Sequence, residues 1–193
     1  LAEFGRRFPD ITFRLTVANR EHVRALIQEQ RCDVAIMGQP PENLDIDSES
    51  FMANPLVVIA PPDHPLCQEH NIPVQRLAKE IFLVRESGSG TRSAMERFFA
   101  EHQIKINKGM ETDTTEAIKQ AVQAGMGLGI MSQHTAELEL ETKRLKVLDV
   151  QGFPIIRFWH VVNRKNKRLS GVAKTFREFL LKEAAKLMLE SKK

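Results

Sequence analysis

Only two cysteines, Cys32 and Cys67, occur in the 193 residues, in unrelated contexts and without metal-ligand spacing. This excludes a disulfide-stapled scaffold, and it favours a reduced, cytoplasmic compartment. Long apolar runs are lacking too, since none approaches the ~18 residues of a membrane span. The first residues contain neither an initiator Met nor a charged-then-apolar signal segment. One-sided charge is absent: the net charge is +3 and the basic residues are spread, which argues against nucleic-acid binding by this segment. Two local basic clusters, Arg164, Lys165, Lys167 and Arg168, and the end with Lys186, Lys192 and Lys193, read as a solvated loop and tail. His64 and His70 lie near Cys67 without regular ligand spacing, so no metal site is expected. No nucleophile stands beside a base, and there is no Gly-x-x-x-x-Gly-Lys phosphate loop. Ser87-Gly88-Ser89-Gly90 lacks the Gly-x-Ser-x-Gly spacing of a nucleophile elbow. No catalytic residue is assigned, and an enzyme is not expected.

What is present is an ordinary globular composition, 42% hydrophobic and 27% charged, in a chain long enough for one large domain or two small ones. Apolar periodicity predicts an α/β fold. A helix tail over Leu1 to Arg7 is followed by alternation of Ile11, Phe13, Leu15 and Val17, which predicts a half-buried strand. Asn19 opens a helix facing inward through Val23, Leu26 and Ile27, and residues 33–37 supply the next strand, so a parallel βαβ unit is expected. A polar loop precedes the apolar run Pro55 to Ala60, and Pro61-Pro62-Asp63-His64-Pro65 then marks a lobe boundary. Beyond it the spacing predicts a strand over 81–84, a helix from Thr91 to about His102 and a strand near 108–111. Next come a helix opened by a capping box of Asp113 and Glu116 and closed at Gly125, and a strand over 128–131. A helix over 134–141, strands over 145–150 and 155–162, and an amphipathic helix opened by Ser170 complete the pattern. Gly125, Gly127 and Gly129 follow a helix and precede a strand, the reverse of a dinucleotide fingerprint.

The most telling segment runs from Ile81 to Arg92, where an apolar strand stops at Glu86-Ser87-Gly88-Ser89-Gly90 and reopens as a helix. The first N–H groups of such a helix lack intrahelical partners, and two glycines admit a ligand close to the backbone. Arg92 adds a planar fork suited to carboxylate or phosphate. Plain capping by Ser89 or Thr91 is the competing reading, and capping by Asn19 likewise competes with a ligand role.

The segments DVAIMGQPP (33–41), LVVIAPPDHPL (56–66), FLVRESGSGTRSAMERFF (82–99) and RKNKRLSGVAKTFREFL (164–180) resemble the effector-sensing domain of LysR-type transcriptional regulators, in the family's order. The ESGSGTR and PPDHPL stretches further resemble the subgroup that regulates RuBisCO and carbon-fixation operons. The resemblance implies a periplasmic-binding-protein-like fold of two Rossmann-like lobes joined by two crossover strands. Lobe one would combine residues 1–61 and 163–193, without the family's first strand, and lobe two residues 62–162. It also implies effector contacts at Asn19, Arg20, Ser87, Gly88, Ser89, Gly90, Thr91 and Arg92 in an interlobe cleft. The expected effector is a phosphorylated metabolite, a 2-oxo acid or a nicotinamide nucleotide, with no resident cofactor. Homodimers through these domains, a homotetramer in the full-length protein, and operator DNA read only by an N-terminal winged helix-turn-helix are implied as well. A transported-solute binding protein would show nearly the same fold and is the alternative.

Overall fold

The computed structural model describes residues 1–190, so Lys192 and Lys193 of the basic tail lie outside the described residues. In chain order the elements are α1 (Ala2–Arg7), α2 (Arg20–Gln28), β1 (Ala35–Met37), β2 (Ile46–Ala53), β3 (Leu56–Ala60), β4 (Ile81–Arg85), α3 (Gly90–Glu101), β5 (Asn107–Thr112), α4 (Thr115–Gln123), β6 (Leu128–Ser132), α5 (Glu137–Glu141), β7 (Lys146–Val147), β8 (Phe158–Arg164) and α6 (Gly171–Glu190). Short 3₁₀ turns lie at Pro65–Gln68, Val74–Lys79 and Gln133–Ala136. The chain forms two compact units, the first from residues 1–53 and 158–193, the second from 54–157.

Unit one carries a three-stranded sheet in the order β1-β8-β2, antiparallel throughout. Ile27 of α2 packs with Ala35, Met37 and Val162 on the sheet, while Phe4 of α1 meets Phe176 and Phe179 of α6 at ring separations of 5.0 and 5.3 Å. Three sequence expectations change here. Residues 11–17 form no strand among the described residues, and Val17 is 87% exposed. Alternation alone cannot make a strand, because its N–H and C=O groups need a neighbouring ladder, and no described strand pairs with this segment. The parallel βαβ unit is consequently not formed, since β1 pairs antiparallel with β8. Conversely, the expected polar loop contains β2, whose mostly exposed side chains hide the strand from a hydrophobic reading. In the basic loop, Lys167 is not simply solvated: its Nζ donates to the carbonyls of Gln30 and Cys32 and pairs with Asp33 at 2.9 Å.

Unit two is a five-stranded mixed sheet in the order β5-β4-β6-β3-β7. β4 runs parallel to β5 and β6, and β3 antiparallel to β6 and β7. Residues Leu56–Ala60, assigned to lobe one from sequence, therefore belong to the sheet of unit two. The proline-rich break at 61–65 is a turn inside that unit, and the chain passes between units at 53–54 and 157–158 instead. Every residue of β3 and β6 is buried, which explains their uninterrupted apolar character. On one face Leu56, Val58, Phe82 and Ile130 pack with Ala94, Met95, Phe98 and Phe99 of α3. On the other, Val57, Ile59, Leu83 and Met131 pack with Ile118, Ala121 and Val122 of α4. A strand and the helix after it thus alternate faces, and both helices begin at the sheet edge where β4 and β5 end.

Close packing also sets the glycines. Gly127 has φ +151°, and a Cβ there would lie 2.6 Å from the Ile81 carbonyl oxygen. Gly127→Ala is expected to destabilise the chain by about 1–3 kcal/mol, read as a fall in the urea midpoint without a change in slope.

Candidate functional site

The carboxyl ends of β4, β5 and β6 lie along one edge of the sheet of unit two, together with the start of β3. Arg85 stands opposite Thr112, and Leu56 opposite Ser132. In open α/β sheets this edge is where ligands bind. The β4–α3 turn forms its centre. Its amide at Ser89 donates to the Glu86 carbonyl at 3.2 Å, closing a tight turn whose third residue, Gly88, has φ +88°. A positive φ at that position favours glycine. Ser89, only 3% exposed, is the N-cap of α3: its Oγ accepts from the Arg92 amide at 3.5 Å, and its carbonyl takes the Ser93 amide and hydroxyl. The helix begins at Gly90, one residue before the expected Thr91. Among the described residues the amides of Gly90 and Thr91 make no hydrogen bond, so two donors remain at the positive end of a twelve-residue helix. Ser89 does the capping, and the Gly90 and Thr91 amides stay unpaired among the described residues.

Arg92 has a different environment from the one its residue type suggests. Its Nε donates to Glu96 at 3.0 Å, and its Nη1 donates to Glu111 at 2.7 Å and to the Arg85 carbonyl at 3.0 Å. These bonds, from Glu96 first and then Glu111, raise its pKa. The guanidinium thus straps α3 across the ends of β4 and β5. Arg85 in turn grips Glu86 with two nitrogens at 2.8 and 3.1 Å and donates to Thr115 Oγ1 at 2.8 Å, tying the turn to the start of α4. Thr114, rather than Asp113, caps α4 by accepting from the Ala117 amide, so the expected capping box is displaced by one residue.

Sequence reasoning missed Arg157. Its Nη1 donates to the Gly90 carbonyl at 3.0 Å, while its own carbonyl accepts from the Asn54 amide at 2.7 Å. No carboxylate pairs with it among the described residues, and its Nε is buried without a hydrogen-bond partner. Burial, followed by repulsion from Arg97, pushes its pKa down to about 10, so it remains charged at neutral pH. On the same sheet edge Asn54, 0% exposed, has both amide atoms without partners, as is Ser132 Oγ. One signal was present: a lone charge interrupting Ile155-Ile156-Arg157-Phe158 asks for a buried partner.

Asn19 and Arg20 lie in unit one. Asn19 Oδ1 accepts from the His22 amide at 2.9 Å and caps α2, and Arg20 Nε donates to the Gln39 carbonyl at 3.3 Å. The six turn residues are brought together in unit two. No group of three or more metal-ligating side chains occurs among the described residues, where His64 instead caps a 3₁₀ turn and the Cys67 thiol donates to the Pro61 carbonyl. No helix among those residues is long and apolar enough to cross a membrane.

A glycine turn and a capped helix start at the carboxyl edge of a mixed sheet define a class of α/β domain that receives ligands at that edge. The model of the LysR substrate binding domain matches residues 1–185, and the chain belongs to that family. The RuBisCO operon transcriptional regulator of Allochromatium vinosum is 53% identical over 187 residues, which are 97% of this chain and 62% of that protein. The HTH-type transcriptional activator CmpR of Synechocystis is 44% identical over 93% of this chain and 59% of its own length. This chain thus spans about three-fifths of those curated relatives. The regulatory domain of Synechocystis CcmR, solved in complex with 2-PG, superimposes with a TM-score of 0.90 at 41% identity, covering 95% of this chain and 90% of that one. The fold is accordingly periplasmic-binding-protein-like, and the chain is a LysR-type regulatory domain whose relatives are transcriptional regulators, a RuBisCO operon regulator among them, not enzymes.

Two outcomes follow from the turn. Ser89→Ala removes a buried cap and is expected to lower stability by about 1 kcal/mol, measured by thermal unfolding. Glu96 is held below the ordinary carboxylate range, first by Lys108 at 2.6 Å and then by Arg92. Its contribution is present above the unfolded carboxylate value of about 4.3 and is lost as pH falls through the depressed one. A melting temperature followed from pH 6 to pH 3 should therefore fall less steeply in Glu96→Gln than in the wild type.

Proposed function

We propose that this chain is the effector sensor of a carbon-fixation regulator and that it binds a small phosphorylated acid at the β4–α3 turn. The observation that carries this reading is the pair of unpaired amides at Gly90 and Thr91, held open by the Ser89 cap and by the Arg92 strap. Ser87 and Gly88 complete the turn, and Arg92 orients it through the Glu96, Glu111 and Arg85 contacts. A helix terminus of this kind favours an anion by about 0.3–1 kcal/mol, and by up to ~2 kcal/mol when partly buried. Among the effector classes suggested by sequence, a phosphate-bearing one suits this donor set better than a 2-oxo acid. A tetrahedral phosphate offers several acceptor oxygens to convergent N–H groups. The 2-PG bound by the CcmR domain, 2-phosphoglycolate, belongs to this chemical class. The reading uses unit two alone. The bonds made by Asn19 and Arg20 account for those residues as a cap and a brace.

The effector then acts as a signal in a cytoplasmic regulator that assembles as a homodimer through these domains and as a homotetramer in the full-length protein. DNA is read by a separate winged helix-turn-helix. The signal requires that the ligand bind two states of the assembly with different affinity, because a ligand indifferent to both shifts neither.

Thermal unfolding tests the ligand assignment. At 100 times its dissociation constant, 2-phosphoglycolate should add about 2.7 kcal/mol, or roughly 5–10 °C for a chain of this length. 2-Oxoglutarate is expected to shift it less. No shift with phosphoglycolate or other phosphorylated acids would refute the assignment.

A further inference from the structure

Three arginines surround the β4–α3 turn, and their charges are disposed of differently. Arg85 is paired with Glu86, and Arg92 with Glu96 and Glu111. Arg157 has no acidic partner among the described residues, and one of its nitrogens is buried without any hydrogen bond. Its remaining contact is to the Gly90 carbonyl, which belongs to the residue whose amide stands free at the start of α3. A partly buried cation without an acidic partner among the described residues, next to a helix N-terminus, is unfavourable in the empty domain, because both carry positive charge. An anion at the turn relieves both costs at once.

We infer that Arg157, and not Arg92, is the cation that selects a doubly charged phosphate at this turn, and that it does so while anchoring Gly90. The inference rests on the effector reading above and assigns its charge selectivity to one residue. Arg92 already has carboxylate partners, so an incoming anion would have to compete with Glu96 and Glu111 for it. Arg157 offers a charge for which no carboxylate competes among the described residues. Burial weakens its hold on its proton but leaves it protonated well above neutral pH.

Binding of 2-phosphoglycolate and of glycolate, measured on the 193-residue chain by calorimetry with competition, separates the possibilities. Glycolate lacks the phosphate and reports the integrity of the turn. Arg157→Gln should weaken phosphoglycolate by about ten- to a hundredfold, the range for losing a hydrogen bond between charged groups, and glycolate by less than about twofold. Arg157→Lys retains the charge without the fork and should keep most of the preference for phosphoglycolate. Equal loss of both ligands in the Gln variant would make Arg157 a purely structural strut, and unchanged affinities would remove it from the site; either overturns the inference and leaves the effector reading standing. If the Gln variant does not melt cooperatively, the Lys variant decides: a retained preference supports the inference and a lost one overturns it. Failure of the wild type to bind phosphoglycolate would instead overturn the effector reading together with this inference.

Discussion

The sheet of unit two is covered on both faces, and the geometry of the site follows from that constraint. β3 and β6 have no exposed residue, so each face needs a helix over it. α3 covers one face through Met95, Phe98 and Phe99, and α4 covers the other through Ile118 and Val122. Because each helix follows a strand parallel to its neighbour, both N-termini emerge at one edge. Unpaired amides therefore gather there as a consequence of the packing. The apolar core holds two helix starts against strand ends, and the charged straps at the turn add to that restraint.

Around that edge, charge is arranged as a set of internal straps with one exception. Arg85 ties the turn to α4, and Arg92 ties α3 to β5 and back to β4. Glu96 is shared between Arg92 and Lys108, so it links the helix to the edge strand from a second direction. Each of these pairs is partly exposed and individually weak, yet together they restrain one turn from several sides. The cation left over, Arg157, touches the same turn from the far end of the unit's chain, 67 residues from Gly90. Rigidity and unspent charge are thus supplied by different arginines, a division that suits the effector site proposed above.

The periodic segments were legible because their burial is strong and one- or two-sided. The run 81–84, the stripe of Ala94, Met95, Phe98 and Phe99, and the run 128–131 all occupy elements of the expected type. The Ser89 and Asn19 caps and the Gly125 helix stop, with φ +76°, were equally local. Where the neighbour decides, local reading failed. Residues 11–17 alternate as a strand should but find no ladder, while β2 lacks alternation and is a strand because β8 pairs with it along its length. The boundary at 61–65 was drawn from prolines, which mark a turn but carry no information about which sheet the preceding strand joins.

Sequence by itself determined the family, the α/β class and the glycine turn that opens α3, because each depends on residues adjacent in the chain or on patterns a few residues long. Tertiary structure decided which donors at that turn are unpaired and which arginine carries uncompensated charge. Arg92 looks like the ligand's partner when only its neighbours are read, but Glu111, brought alongside by the β4–β5 pairing, accepts its charge. Arg157 looks like an ordinary surface charge in a strand until folding places it on Gly90 with no acid paired to it among the described residues. Electrostatic roles are set by what is within a few ångströms in space, and that is fixed only when the strands have chosen their order.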